Sequence, residues 1–213
     1  MKKIPCVSQT KLLGVHFDQN LSWEEHIKHV KKKISSNLYL LKQIKAHLPL
    51  EARKLFFNSY VLPHFDYCST IWGNCSKTAL NKLEKLQKRA ARLILDKDYS
   101  TRSCDLFTEL DWMPVGDRIH FKRAVQVYKC LNNSVSQGLD NFFEYNRNVH
   151  THNTRSATDN NLHIGKNHIK SFSYLGATTW NNLPISVRNA ENINIFKNRY
   201  LQHYFNDNTQ YSQ

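Results

Sequence analysis

Glycine and proline are scarce in this 213-residue chain, at 6 and 5 residues. That scarcity argues against Gly-rich nucleotide loops and against β folds built from many tight turns. Cysteine is sparse as well: Cys6, Cys68, Cys75, Cys104 and Cys130 are scattered and odd in number. Secreted disulfide frameworks are denser and usually even, so these read as reduced thiols. Cys68 and Cys75, with His64 just upstream, lack the two close ligand pairs of a structural zinc site. They also match no thiol–imidazole nucleophile spacing. Acidic residues number 17 against 30 Lys plus Arg, and no Asp-Asp pair occurs anywhere. Gly-x-Ser-x-Gly, Walker and dinucleotide-binding patterns are all missing from the sequence, so composition and motifs point away from an autonomous active site. No stretch of 18 apolar residues is present, and Lys2 and Lys3 lead into polar sequence. The expectation is therefore a soluble intracellular protein without a membrane partner, nuclear or cytoplasmic.

What is present is positive charge on a chain able to fold. Hydrophobic residues make up 40% and aromatics 12%, which is too much for a disordered basic tail. A chain of this length buries roughly 70% of its unfolded surface. The formal charge of +13 attracts polyanions. It is unevenly placed: residues 1–100 carry 18 basic and 8 acidic residues, a net of +10, and residues 101–213 only +3. Asparagine runs the other way, with 5 before residue 132 and 17 from Asn132 onward. A basic, helical first half followed by a turn-rich second part is the reading.

Periodicity supplies the elements. Leu13, Val15 and Phe17 alternate within residues 11–18 and predict a strand, ended by the turn-forming Asp18-Gln19-Asn20. Ser22 and Glu25 have capping-box spacing before a long helix that should end near His47. Its apolar residues Trp23, Ile27, Val30, Ile34, Leu38, Leu41 and Ile44 share one face about 120° wide. Pro49 opens a second helix to about Leu62, where Pro63 should stop it. His64–Asn74 reads as an aromatic, irregular stretch. A third helix spans about Lys77 to Leu95, and short helices follow at Ser103–Leu110, Arg118–Leu131 (capped by Asp117), Phe172–Trp180 and Asn194–Phe205. The stretch from about 132 to 170 is polar and Asn-rich.

Two basic faces stand out. Lys82, Lys85, Lys88, Arg89 and Arg92 fall within about 120° on the third helix, away from its apolar side. Glu84 lies outside that sector. Lys28, Lys31, Lys32 and Lys42 flank the apolar face of the first helix. Side chains placed this way can track phosphates, each contact adding to a salt-dependent affinity. The plainer alternative is a solvated helix face, which usually carries both signs. His26 and His29 lack the His-Glu-x-x-His order of a zinc protease and read as exposed histidines on a basic helix. The aromatics Phe65, Tyr67, Trp72, Trp112 and Trp180 read as core anchors in preference to base-stacking platforms.

The order of segments resembles the Jockey-like non-LTR retrotransposon reverse transcriptases. Leu13-Gly14-Val15, Asp18, Leu21-x-Trp23 and His26-Ile27 resemble their segment after the palm, and Leu83 through Leu93 their thumb helix. Val115-Gly116-Asp117-Arg118-Ile119, Thr154-Arg155, Trp180-Asn181-Asn182-Leu183-Pro184 and Phe196-Lys197 follow in the family's order. The resemblance implies a mainly α fold: a short N-terminal strand or hairpin, a helical thumb-like bundle, and a smaller, loop-rich helical C-terminal extension. It implies three parts: a residual palm strand at 1–20, a thumb-like domain at 21–97 and an extension at 98–213. Family enzymes polymerise DNA on RNA with metal-bound palm aspartates, including an adjacent Asp-Asp that would precede Leu13. Without it the magnesium site is missing, so no cofactor and no catalytic residue is expected in these 213 residues. The chain then reads as a truncated reverse transcriptase, not an enzyme on its own, whose thumb holds template–primer backbone without reading sequence. Its implied partners are an RNA–DNA hybrid or duplex and the missing palm and fingers. The alternative is a protein-interaction or structural module, or an inert translated remnant of a transposable element.

Overall fold

The computed structural model describes residues 7–136, 138, 140–149, 160–165 and 169–210. Thr154-Arg155, Cys6 and part of the Asn-rich stretch lie outside them. The fold is mainly α-helical behind a two-stranded antiparallel hairpin, and it divides into two compact units, residues 1–119 and 120–213.

The first unit opens with β1 (Gln9–Leu12) and β2 (Val15–Asp18), paired from Gln9↔Asp18 to Leu12↔Val15. Sequence alternation suggested one strand, but Leu13 and Gly14 form a two-residue turn, with φ of 46° and 85°. Positive φ at both central positions is what a type I′ hairpin turn requires. Gly14 adopts it without strain, whereas Leu13 does so at the exposed tip. Val15 is the buried anchor of the hairpin.

Helix α1 (Glu24–Ile44) buries Ile27, Val30, Ile34, Leu38 and Leu41, the face expected from its periodicity. Its entry differs from a Ser22 capping box. Trp23 is the N-cap, in a left-handed conformation that leaves no side-chain cap bond. Asp18, at the end of β2, does the work instead. Its carboxylate accepts from the Asn20 N–H at 3.0 Å, the Ser22 N–H and hydroxyl at 3.1 Å each, and the Trp23 N–H at 3.0 Å. These bonds, led by the Ser22 amide, hold the Asp18 carboxyl below its usual range. The acidic Glu24 and Glu25 occupy the first turn, where the helix dipole favours them.

The second helix does not stop at Pro63. Helix α2 (Leu50–Phe56) passes through a π-helical segment, Phe57–Val61, into α3 (Leu62–Asp66), with Pro63 in its first turn. Proline cannot donate to the carbonyl four residues back, so a regular α-helix would break here. The wider π turn resolves this, because the Leu62 N–H reaches back to the Phe57 carbonyl. The stretch after it is more regular than expected. Tyr67 and Cys68 (φ 52°) turn the chain into α4 (Ser69–Trp72), whose Trp72 is fully buried and donates to the Tyr67 carbonyl at 2.7 Å. At Gly73 a Cβ would collide with the Ser69 carbonyl and the Ile119 side chain, so only glycine fits.

Helix α5 (Lys77–Leu95) has the bounds expected from sequence, with Ser76 Oγ accepting from the Ala79 N–H at 3.2 Å. It packs on α1 through Leu83, Ala90, Ala91 and Ile94, all at 0% exposure. Helix α6 (Ser103–Glu109) lies against α5, so Leu106, Phe107 and Leu110 join the same core. Trp112 stacks on Phe57 at 4.0 Å between ring centres. Helix α7 (Val115–Leu131) begins before Asp117, its expected cap. Buried Gln87 of α5 caps it from outside: its Oε1 accepts from the Val115 N–H and its Nε2 donates to the Met113 carbonyl, both at 2.9 Å.

In the second unit, α8 (Asn146–Val149), α9 (Phe172–Asn181), α10 (Ile185–Arg188) and α11 (Ile193–Gln210) surround Leu162, Ala177, Trp180, Val187 and Phe196. The Trp180-Asn181-Asn182-Leu183-Pro184 run has a structural use at each defined step. Trp180 and Leu183 are buried, Pro184 begins α10, and Asn181 clamps both backbone polar groups of Leu162 at 2.8 and 2.9 Å.

Replacing Gln87 with Leu should orphan the Val115 N–H and the Met113 carbonyl and cost about 1–3 kcal/mol. Urea denaturation measures this; an unchanged midpoint would show that the amide bridge is dispensable.

Candidate nucleic-acid interface

The basic face of α5 exists because its opposite face is fully used. Lys82 and Lys85 are exposed, and Lys88 and Arg89 half-buried. Among the described residues none of these four makes an ion pair. Glu84, half-buried, faces the start of α7, with its Oε1 3.6 Å from where a Cβ on Gly116 would stand.

Arg92 differs from the other four. Its guanidinium donates to the carbonyls of Asp98, Tyr99 and Thr101 at 3.3, 3.5 and 3.0 Å, and to that of Lys88 at 3.4 Å. It also lies 5.1 Å from the Tyr99 ring centre. This arginine folds the 98–101 loop onto the end of α5, a use that its position on the basic stripe did not reveal. Arg53 closes the same end by donating to the Ile94 carbonyl at 3.0 Å. Lys45 pairs with Asp96 and holds its carboxyl below the usual range.

On α1, Lys31, Lys32 and Lys42 are exposed, while Lys28 pairs with Glu25 at 3.4 Å. Both basic sets therefore belong to one compact unit. Of the five aromatics, Phe65, Trp72 and Trp180 are buried, in keeping with anchoring. Trp112 is half-buried on Phe57, and Tyr67 is exposed with its hydroxyl donating to the Leu13 carbonyl.

A histidine group escaped the sequence reading. His26 is buried at 3% exposure, contrary to its expected exposure, and lies between β2 and Trp72. The His16 N–H donates to His26 Nδ1 at 3.4 Å, which puts the proton of neutral His26 on the buried Nε2. The His16 ring lies 6.3 Å from that of His26 and 4.7 Å from that of His29. Burial first, then His16 and His29, lowers His26 to about 4. His29 is lowered by burial and by His16, Lys33, Lys11 and His64; His64 is lowered by burial and Lys33. The three-residue spacing of His26 and His29 was visible, but the histidine that faces them comes from another element. No group of three or more His, Cys, Asp or Glu able to hold a metal ion occurs among the described residues. Cys68, Cys75, Cys104 and Cys130 are in no disulfide, and no described helix is long and apolar enough to cross a membrane.

Fold and face together define a mainly helical module with one-sided basic helices. Over 115 residues, 53% of the chain, it is 30% identical to the probable RNA-directed DNA polymerase from transposon BS of Drosophila melanogaster. It is 23% identical over 120 residues, 55% of the chain, to the probable RNA-directed DNA polymerase from transposon X-element of the same fly. It is 26% identical over 112 residues, 51% of the chain, to the RNA-directed DNA polymerase from mobile element jockey of Drosophila funebris. All three are enzymes of non-LTR retrotransposons, so the resemblance read from the ordered motifs holds over about half the chain. The matched stretches span 13%, 13% and 12% of those relatives' lengths. No protein-family model matches the chain. No solved structure matches it either.

His26 gives the fold a pH dependence of defined sign. As pH falls through the ordinary 6.5, the unfolded chain takes up a proton that folded His26 refuses until about 4. Stability should therefore decline across that window, by up to about 1.4 kcal/mol per pH unit for this group. His29 and His64 act in the same direction. His26→Leu should flatten the profile of urea midpoint against pH. A variant profile parallel to the parent's would assign the effect elsewhere.

Proposed function

We propose that this chain is the thumb-like and C-terminal part of a Jockey-like reverse transcriptase and holds the sugar–phosphate backbone of a template–primer duplex. The α5 face carries the reading: Lys82, Lys85, Lys88 and Arg89 form a cationic surface with no acidic partner among the described residues, on a helix whose other side is buried. The lysines of α1, Lys31, Lys32 and Lys42, with Lys28, form a second set on the same unit. Such contacts position a duplex and carry no sequence information. An RNA–DNA hybrid would be held by its shape and by contacts across its shallow groove. The similarity to RNA-directed DNA polymerases supports a nucleic-acid partner, and the palm and fingers of such an enzyme would be its natural protein partner.

In this reading the hairpin is the end of the palm, residues 21–97 are the thumb, and 98–213 the extension. The chain contributes no catalytic carboxylates and no magnesium site, since it has no Asp-Asp pair. Arg92 serves the thumb by fixing the 98–101 loop, and contributes to the interface through that loop.

Replacing Lys82, Lys85, Lys88 and Arg89 together with Gln should reduce the slope of log affinity against log salt for a hybrid duplex by roughly 3–4. An unchanged slope would discard this face as the binding surface. The purified chain should extend no primer with magnesium or manganese; measurable extension would overturn the non-catalytic assignment.

A further inference from the structure

A groove of about 650 Å³ runs between α1 and the π segment. None of its lining residues belongs to α5, and none is acidic. Lys32 and Lys33 project from α1, and Ser36 and Ser59 supply hydroxyls from opposite walls. The π turn that accommodates Pro63 puts Tyr60 at the rim, where it is 59% exposed. Its ring is braced by Phe56 at 5.0 Å between centres and 31° between planes, and its backbone carbonyl accepts from the Asn37 side chain across the groove. The wall is thus fixed to α1, and the aromatic surface at its edge is held in place. His64 closes the floor beside Pro63.

We propose that this groove binds an unpaired nucleic-acid strand, one or two nucleotides deep, with a base stacked on Tyr60 and phosphates on Lys32 and Lys33. The size lies within the range of roughly 300–1,000 Å³ typical of small-ligand pockets. Cations tracking a backbone beside a sequence-tolerant stacking surface are the two components of single-strand recognition. The Ser59 hydroxyl adds a neutral donor for phosphate oxygens, whereas that of Ser36 donates to the Lys32 carbonyl at 3.1 Å. The inference extends the nucleic-acid reading to a second surface, which shares only Lys32 with the proposed duplex interface.

The test is fluorescence anisotropy on the full chain with labelled tetrathymidylate, tetrauridylate and a blunt RNA–DNA hybrid. Lys33→Gln and Tyr60→Leu alter exposed side chains, and thermal unfolding verifies that both variants fold. Tyr60→Leu should weaken the tetranucleotides roughly five- to hundredfold, the range of one base–aromatic stack, with the hybrid unaffected. Lys33→Gln should weaken them severalfold and flatten their salt slope by roughly 0.7. Lys82→Gln with Lys85→Gln should do the reverse, weakening the hybrid alone. Tetranucleotide affinity indifferent to Lys33 and Tyr60, or abolished by the α5 variants, would overturn the groove. If the hybrid fails to bind but the tetranucleotides still depend on Tyr60, the groove stands and the duplex interface falls.

Discussion

Close contact between α1 and α5 is the constraint from which the rest of the first unit follows. Ala90 and Ala91 of α5 and Ile34, Leu38 and Leu41 of α1, all without exposed surface, belong to the core that the two helices share. With one side of α5 committed to this contact, its charged residues have a single direction left. The basic face is therefore a consequence of packing as much as of composition. Moving a lysine of that helix into the contact would bury an unpaired charge, at a cost far above any surface effect.

How much of this was legible in the sequence depended on how local the cause was. The bounds of α5 were readable because the three- and four-residue apolar spacing and the lysine stripe belong to the helix itself. The buried face of α1 was readable for the same reason. Gln87 lies within the Leu83–Leu93 stretch that resembles the thumb helix, a resemblance that says nothing of its partners. Its role comes from chain 26 and 28 residues away, and no local pattern encodes that. Arg92 was placed correctly on its face, but the nearby carbonyls of the 98–101 loop compete for its guanidinium. At Pro63 a sound local rule met a local exception, the π turn. At Ser22 the helix entry is taken over by Asp18, which a tight hairpin delivers to the amides of Asn20, Ser22 and Trp23, leaving the Ser22 hydroxyl only a long bond from the Glu24 N–H at 3.4 Å.

The two candidate surfaces differ in kind. The α5 face is convex, charged and open, suited to following a backbone from outside. The groove beside the π segment is concave and part aromatic, suited to a strand whose bases are accessible. Their separation on one unit would let the chain meet paired and unpaired regions of one nucleic acid at once. Histidines 16, 26 and 29 join the hairpin to α1 and tie its seating to the acidity of the surroundings, and His29 also lines the groove.

Gly73 gives the chain an internal gauge of its history. Every single-base change that replaces this glycine with another amino acid adds a Cβ, and at this position any Cβ meets the Ser69 carbonyl and Ile119. No conservative exchange exists there, so a lineage either keeps the glycine or loses the close packing of Ile119 at the end of α4. Copies propagating without use would shed Gly73 as fast as any surface codon, whereas copies whose fold still matters would retain it while their lysines drift. Position 73 thereby separates lineages that keep this fold from those that have lost it.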